Sequence, residues 1–182
     1  MKIGVIGVGR LGQDCAEVMA ENGHEVSGYD INPFESESIT QVETIEELVK
    51  DKQYVFVSVP TPHDPAYDGS TPAMHLEPKD FNYDIATSVI AEANKYMNDS
   101  QSIILISTVM PGTIRKQIIP LVTNTNFVYN PYLIAMGTIR WDMVNPEMIM
   151  IGTEDGSKTG LASDLSFFYA AFMENNPRTI IG

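Results

Sequence analysis

Lys2-Ile3-Gly4-Val5-Ile6-Gly7-Val8-Gly9-Arg10-Leu11-Gly12 is the stretch on which the reading of the whole chain turns. A short β-branched run passes without pause into glycines spaced G-x-G-x-x-G, and Leu11, Cys15, Val18 and Met19 follow at helical spacing as far as Glu21. Each glycine has a reason: a tight turn, close approach of backbone to a pyrophosphate, and close packing of helix on strand. The N-terminus of the helix then offers free N–H groups and a partial positive charge to phosphate. Taken alone the pattern is weak, because a tight βα turn that binds nothing, or a flavin site, shares it. A second strand, Glu25–Tyr29, ends in Asp30 about 20 residues on, where a carboxylate accepts hydrogen bonds from ribose hydroxyls. The same carboxylate repels a 2′-phosphate, which favours NAD over NADP. The expected cofactor contacts are therefore Gly7, Val8, Gly9, Arg10, Leu11, Gly12 and Asp30.

Working outward, short apolar runs alternate with amphipathic stretches, the signature of βαβ units around a parallel sheet. The runs are Lys2–Ile6, Glu25–Tyr29, Tyr54–Val59, Ser102–Ser107, Asn126–Tyr129, Glu147–Ile151 and Arg178–Ile181. Most are nearly continuous in apolar residues, as strands covered on both faces are. Thr44-Ile45-Glu46-Glu47 reads as a capping box opening a short helix. Asp80 is positioned to cap a longer helix carrying Phe81, Ile85, Val89, Ile90 and Ala93, and a further helix is expected over Leu161–Met173. The expected fold is α/β: a doubly wound, mostly parallel Rossmann-like sheet of six or seven strands with helices on both faces, forming one domain over residues 1–182. Two long loops, Pro60–Pro78 and Asn130–Pro146, follow the carboxyl ends of strands, where ligands bind in open α/β sheets.

Composition narrows the function. With 24 Asp and Glu against 11 Lys and Arg, the net charge is −13, and no basic cluster offers long-range attraction to nucleic acid or an anionic membrane. An anionic cofactor must then be held by local features. No stretch approaches the roughly 20 apolar residues of a membrane span, and the start lacks a signal-peptide core. Cys15 is the single cysteine, so no internal disulfide can form, and a reducing cytoplasm fits best. His63, Asp64, Asp68 and His75 share the first long loop, but their spacing matches no tight metal site. No metal is expected.

Four further segments resemble the nucleotide-sugar dehydrogenase family, which comprises UDP-glucose and GDP-mannose dehydrogenases. Val57-Ser58-Val59-Pro60-Thr61-Pro62 is similar to its V-x-V-P-T-P stretch, whose backbone passes the cofactor, adding Val59, Pro60 and Thr61 to the cofactor contacts. Ser107-Thr108-Val109-Met110-Pro111-Gly112-Thr113 is close to its S-T-V-x-P-G-T. The resemblance implies that the Thr108 hydroxyl approaches the nicotinamide end of NAD, as both a catalytic and a cofactor-binding group. Tyr129-Asn130-Pro131-Tyr132-Leu133 resembles N-P-E-F-L, and Gly137, Asp142, Pro146 and Ile149–Gly152 fit a G-x-A-x-x-D-x-x-x-P-x-x-I-x-I-G run. By the resemblance Asn130, Tyr132, Leu133 and Met136 face a nucleotide sugar, UDP-glucose or similar. The match runs in order along essentially the whole chain and covers only the family's N-terminal domain.

Departures from the family pattern are equally informative. Both glutamates of Pro-Glu-Phe-Leu-Arg-Glu are replaced, since this chain reads Pro131-Tyr132-Leu133-Ile134-Ala135-Met136. Glu35 stands at the family's lysine five residues after the ribose aspartate, and Arg10 where an aromatic is common. The family oxidises a sugar CH–OH twice, through a thioester on a cysteine beyond this domain. Cys15 lies on the apolar face of the first helix and reads as a core residue. The family's catalytic lysine and asparagine would also fall beyond Gly182. Two readings stay open: the NAD-binding portion of a UDP-glucose 6-dehydrogenase-like oxidoreductase, or a non-catalytic or truncated dinucleotide-binding module. A single-oxidation relative, akin to hydroxyisobutyrate and 6-phosphogluconate dehydrogenases, would lack its lysine in the same way. The family dimerises largely through a central helix outside this chain, so a homodimer stays open too. Tyr132 and Trp141 could each stack on a base or sugar, or cover the sheet edge.

Overall fold

Side chains alternate along the strands and sort the interior into two layers. In β4 (Tyr54–Val57), Tyr54 and Phe56 enter one buried cluster while Val55 and Val57 enter the other. β1 (Lys2–Ile6) sends Ile3 and Val5 one way and Ile6 the other, and β5 (Ser102–Leu105) divides Ile104 from Ile103 and Leu105. A strand buried on both faces needs helices on both, and the chain supplies them. α1 (Arg10–Glu21), α4 (Ile139–Val144) and α5 (Gly160–Ala170) cover the first face; α2 (Ile45–Val49) and α3 (Asp84–Tyr96) cover the second. The computed structural model describes residues 1–72, 74–135, 137–158 and 160–182.

The six-stranded sheet has the order β3-β2-β1-β4-β5-β6, with every pair parallel; β2 is Glu25–Tyr29, β3 Thr40–Gln41 and β6 Asn126–Tyr129. This is the doubly wound arrangement the sequence implied, and its order reverses between β1 and β4. Val57 and Leu105 end their ladders two residues before the apolar runs do. Ser58 still donates to the Ile6 carbonyl at 2.8 Å and Ile106 to the Val57 carbonyl at 2.9 Å, so Ser58, Val59, Ile106 and Ser107 splay over the sheet's carboxyl edge. Two expected strands take other partners. β7 (Met148–Ile151) and β8 (Arg178–Ile181) pair with each other, parallel, in a separate ribbon. An antiparallel bridge fastens it to β6: Tyr129 donates to Gly152 at 3.1 Å and Gly152 to Tyr129 at 2.7 Å.

Two helix starts repay comparison with the sequence. Thr44 caps α2 as expected, its hydroxyl accepting the Glu47 N–H at 3.1 Å, while the Glu47 carboxylate takes the Glu43 N–H at 3.2 Å. Asp80 does not cap α3. Its carboxylate accepts from the Phe81 N–H at 2.8 Å and the Tyr83 hydroxyl at 2.5 Å, and the helix begins only at Asp84. Tyr83, 4% exposed, also accepts the Met110 N–H at 3.0 Å, so the end of the first long loop is tied to the segment after β5. Among the described residues no helix is long and apolar enough to cross a membrane.

Candidate functional site

The turn between β1 and α1 is forced by its glycines. Gly7 sits at φ +91°, a left-handed conformation, and a Cβ there would lie 2.4 Å from the Ser58 carbonyl oxygen. A Cβ on Gly12 would lie 1.9 Å from the Gly7 carbonyl oxygen, so a side chain at Gly12 would drive α1 away from the turn. Gly9 is different: it is extended, at φ −80° and ψ −164°, and nothing lies within 4 Å of where its Cβ would be. That empty space opens on the N-terminus of α1, which carries no side-chain cap and no acidic residue in its first turn. The first bond into the helix is the Gln13 N–H to the Gly9 carbonyl at 2.8 Å. The N–H groups ahead of it point outward with the positive end of the helix dipole, which is what an anion needs in a chain of net charge −13.

A cleft of about 760 Å³ runs from this turn across the carboxyl edge of the sheet. Gly7–Leu11, Asp30, Val59–Thr61 and Thr108 all line it, so the structure brings together nearly every expected cofactor contact; Gly12 lies beneath, buried in the turn. At one end Asp30 is half-buried, and one carboxylate oxygen accepts the Asn32 N–H at 2.8 Å, which fixes the group and leaves its other oxygen available. Val8 meets the cleft with its backbone, because its side chain is 3% exposed in the core. Arg10 is exposed, lines the cleft and makes no ion pair among the described residues. Toward the other end the Thr61 hydroxyl donates to the Thr108 carbonyl at 2.7 Å, and the buried Ser107 hydroxyl donates to the Val59 carbonyl at 2.7 Å. These bonds lock the two strand exits side by side and leave Thr108 exposed at the rim.

Of the residues expected to face a sugar, Asn130, Tyr132 and Leu133 line one narrow crevice beside the cleft, and Tyr132 lines the cleft as well. Asn130 is 1% exposed: its N–H donates to the Leu105 carbonyl at 2.8 Å, its Nδ2 to the Met150 carbonyl at 2.7 Å, and its Oδ1 accepts the Tyr169 hydroxyl. So placed, it joins β5, β7 and α5. Tyr132 is half-buried and lines the same cleft as the glycine turn, with its hydroxyl 2.5 Å from that of Tyr169. Leu133 is 46% exposed in that crevice, outside the cleft. Met136 lies outside the described residues. Several cleft residues escaped the sequence reading, namely Ile31, Phe34, Ile85 and Val89. Ile31, 87% exposed directly after Asp30, carried the readable signal: a large apolar side chain past the end of a strand.

The other residues weighed have ordinary surroundings. Cys15 is 1% exposed in the core, where burial, with Asp14 nearby, pushes its thiol far above the usual range. His24 tilts over Phe168 at 5.1 Å, and burial, helped by the nearby amino terminus, lowers its pKa. Asp64 pairs with Lys79 at 2.7 Å and takes the Ala66 N–H, so its carboxyl lies below the usual range. No three His, Cys, Asp or Glu side chains gather as metal ligands among the described residues. Trp141 is 62% exposed on α4, outside the cleft lining.

Comparison with known proteins agrees with this geometry. The sequence profile of the UDP-glucose/GDP-mannose dehydrogenase family, NAD binding domain, matches residues 34–173. Residues 1–66 match that of D-isomer specific 2-hydroxyacid dehydrogenase, NAD binding domain. The protein YtcA of Bacillus subtilis (strain 168), whose name marks it as a provisional UDP-glucose 6-dehydrogenase, is 26% identical over 183 residues, covering 85% of this chain and 40% of its own length. A GDP-mannose dehydrogenase from Pseudomonas aeruginosa superposes with a TM-score of 0.79 at 20% identity, over 99% of this chain and 46% of that one. A UDP-glucose dehydrogenase from the hyperthermophilic archaeon Pyrobaculum islandicum gives 0.76 at 20% identity, with the same coverage of 99% and 46%. At that identity the superpositions establish the fold. The chain spans less than half the length of each of these relatives.

Proposed function

The chain belongs to the UDP-glucose/GDP-mannose dehydrogenase family as its NAD-binding domain, and from that premise we propose that NAD lies along the cleft at the β1–β4 reversal while a nucleotide sugar of the UDP-glucose type meets its nicotinamide end. What carries this reading is the uncapped start of α1, open above Gly9, in one cleft with the half-buried Asp30 carboxylate. Asp30 accepts hydrogen bonds from the adenosine ribose and excludes a 2′-phosphate. The free N–H groups over Gly9 hold the pyrophosphate, and the exposed Arg10 guanidinium adds a charge-assisted contact. Ile31 and Val89 give apolar surface to the adenosine half, and Thr61 holds Thr108 in place at the other. Bound NAD supplies the hydride acceptor for oxidation of a sugar CH–OH carbon. Cys15, buried on the core face of α1, is not a thiol that can carry the family's thioester, so the proposed role is the cofactor half of the reaction, in a reducing cytoplasm.

The replaced glutamates and the inert thiol favour one rival, a dinucleotide-binding module without turnover of its own. Calorimetric titration with NAD, NADP and UDP-glucose, followed by an assay for NADH, tests the cofactor site and any turnover by this chain alone. The expected result is NAD binding that exceeds NADP binding. No NADH from UDP-glucose would mean that this chain holds the cofactor and turnover resides elsewhere. NADH formation would show a single oxidation surviving without the cysteine, and failure to bind NAD would refute the site.

A further inference from the structure

Two aromatic rings, Tyr29 and Phe34, lie at the Asp30 end of the cleft, and a third, Tyr132, lies at the opposite end. Tyr29 closes β2 and Tyr132 follows β6, four steps apart in the sheet order, or about 19 Å at the usual strand spacing. With the ribose carboxylate at the β2 end, a dinucleotide straddling the β1–β4 reversal must carry its nicotinamide toward β5 and β6. Tyr132 stands there, at the end of the lining that also includes Ile106 and Thr108.

We propose that the ring of Tyr132 is the surface against which the nicotinamide of bound NAD packs, and that Tyr169 and Asn130 position that ring. The inference rests on the NAD reading above and concerns the far half of the same site. The phenol's polar end is not available to a substrate. Its hydroxyl is 2.5 Å from that of Tyr169, Tyr169 donates on to Asn130, and Asn130 is anchored to the backbone of β7 at 2.7 Å. The two rings meet edge to face with centroids 6.0 Å apart, and Tyr169 is 1% exposed, so the pair is set rigidly into the core. Burial also pushes both phenols well above their usual range, which keeps the hydroxyls protonated and rules Tyr132 out as a base at neutral pH. What Tyr132 shows the cleft is therefore ring carbon. An oxidised nicotinamide is a flat cationic heteroaromatic, and a phenol ring held still beside it gains both stacking and cation–π attraction. A tyrosine thus occupies the position at which the family pattern has a carboxylate.

The test separates nicotinamide from the rest of the cofactor. The chain, a Tyr132→Leu variant that keeps apolar bulk, and a Tyr132→Phe variant that keeps the ring are each titrated with NAD and with ADP-ribose, which lacks only nicotinamide. Tyr132→Leu is expected to weaken NAD binding roughly tenfold and to leave ADP-ribose binding within about twofold, while Tyr132→Phe retains the wild-type preference. Parallel loss of both ligands in Tyr132→Leu would make the ring a general support of the cleft and overturn the proposal. So would unchanged binding of both. If the unaltered chain bound neither ligand, the NAD reading itself would fall and this inference with it; wild-type ADP-ribose binding that equals NAD binding would overturn the inference alone.

Discussion

Gly9→Ala separates binding from folding by a single methyl group. At φ −80° and ψ −164° any residue is comfortable, and the new Cβ would meet nothing within 4 Å. Loss of glycine's freedom in the unfolded chain stabilises by about 0.4–1 kcal/mol, and the poorer N-cap offsets this by a similar amount. The net effect on stability is within about 0.5 kcal/mol, a shift in Tm of no more than roughly 2 °C. Gly12→Ala is the contrasting control. Its Cβ would lie 1.9 Å from a backbone oxygen, which cannot swing aside as a side chain can. Such overpacking costs about 3 kcal/mol, helix propensity returns about 1, and Tm falls by roughly 4–8 °C. For NAD the order reverses in meaning. The Gly9→Ala methyl fills the space in which phosphate meets the free N–H groups, and loss of those charge-assisted bonds costs about 1.5–3 kcal/mol, or roughly 10- to 150-fold in affinity. Thermal unfolding and calorimetric titration of both variants provide the assay. If Gly9→Ala binds NAD within about twofold of wild type, the pyrophosphate does not cross Gly9 and the proposed pose is wrong.

Asp30→Asn should weaken NAD binding by about 1–3 kcal/mol and narrow the preference over NADP; unchanged affinity in titration would remove Asp30 from the ribose site. Asn130→Ala removes the side-chain donor to the Met150 carbonyl and leaves the Tyr169 hydroxyl with Tyr132 alone, and should lower stability by about 2 kcal/mol, read as a fall in Tm of roughly 4–8 °C. Asp142 is held below the usual carboxylate range by the Ala135 N–H and then the Thr138 hydroxyl. On acidification the unfolded chain takes up that proton first, so the contribution is complete near neutrality. It fades as pH drops below the ordinary carboxylate range toward the lower folded value. Asp142→Asn should flatten that part of an acid unfolding curve, and an unchanged curve would count against the contact.

Local signals carried well to local structure. The glycine spacing, the apolar run before it and the helical spacing after it describe one βα unit completed within about twenty residues, and each choice there is enforced by contacts within the turn or to the next strand. Thr44 was legible for the same reason. Asp80 was misleading because a good cap competes with other donors, and the Tyr83 hydroxyl and Phe81 N–H reach it before the helix does. β3 is two residues long, too short for any alternation to show. The pairing of β7 with β8 was hidden because both runs look like ordinary buried strands, and the choice of partner is decided by α5 and the Tyr129–Gly152 bridge. At the site, a sequence reveals which residues follow a strand but not which way they turn. Asn130 and Tyr132 are two positions apart; the side chain of one is held by Tyr169 and the Met150 carbonyl, while the other also opens on the cleft, and the partner they share, Tyr169, stands almost forty residues away on α5.

The strand order also has a meaning in time. Because the strands stand as β3-β2-β1-β4-β5-β6, a chain emerging from its N-terminus never has to thread a new strand between two already joined. β2 and β3 are laid in turn on one side of β1; growth then changes direction, and β4, β5 and β6 are laid on the other. Each arrival finds its parallel neighbour already outside the ribosome with an open edge. The cleft straddles the place where growth changes direction, so the glycine turn and Asp30 are synthesised first and wait, half a socket, for β4 to arrive. A nascent chain arrested before β4 would carry the glycine turn and Asp30 with no opposite wall, since Val59, Pro60 and Thr61 on that side of the cleft follow β4.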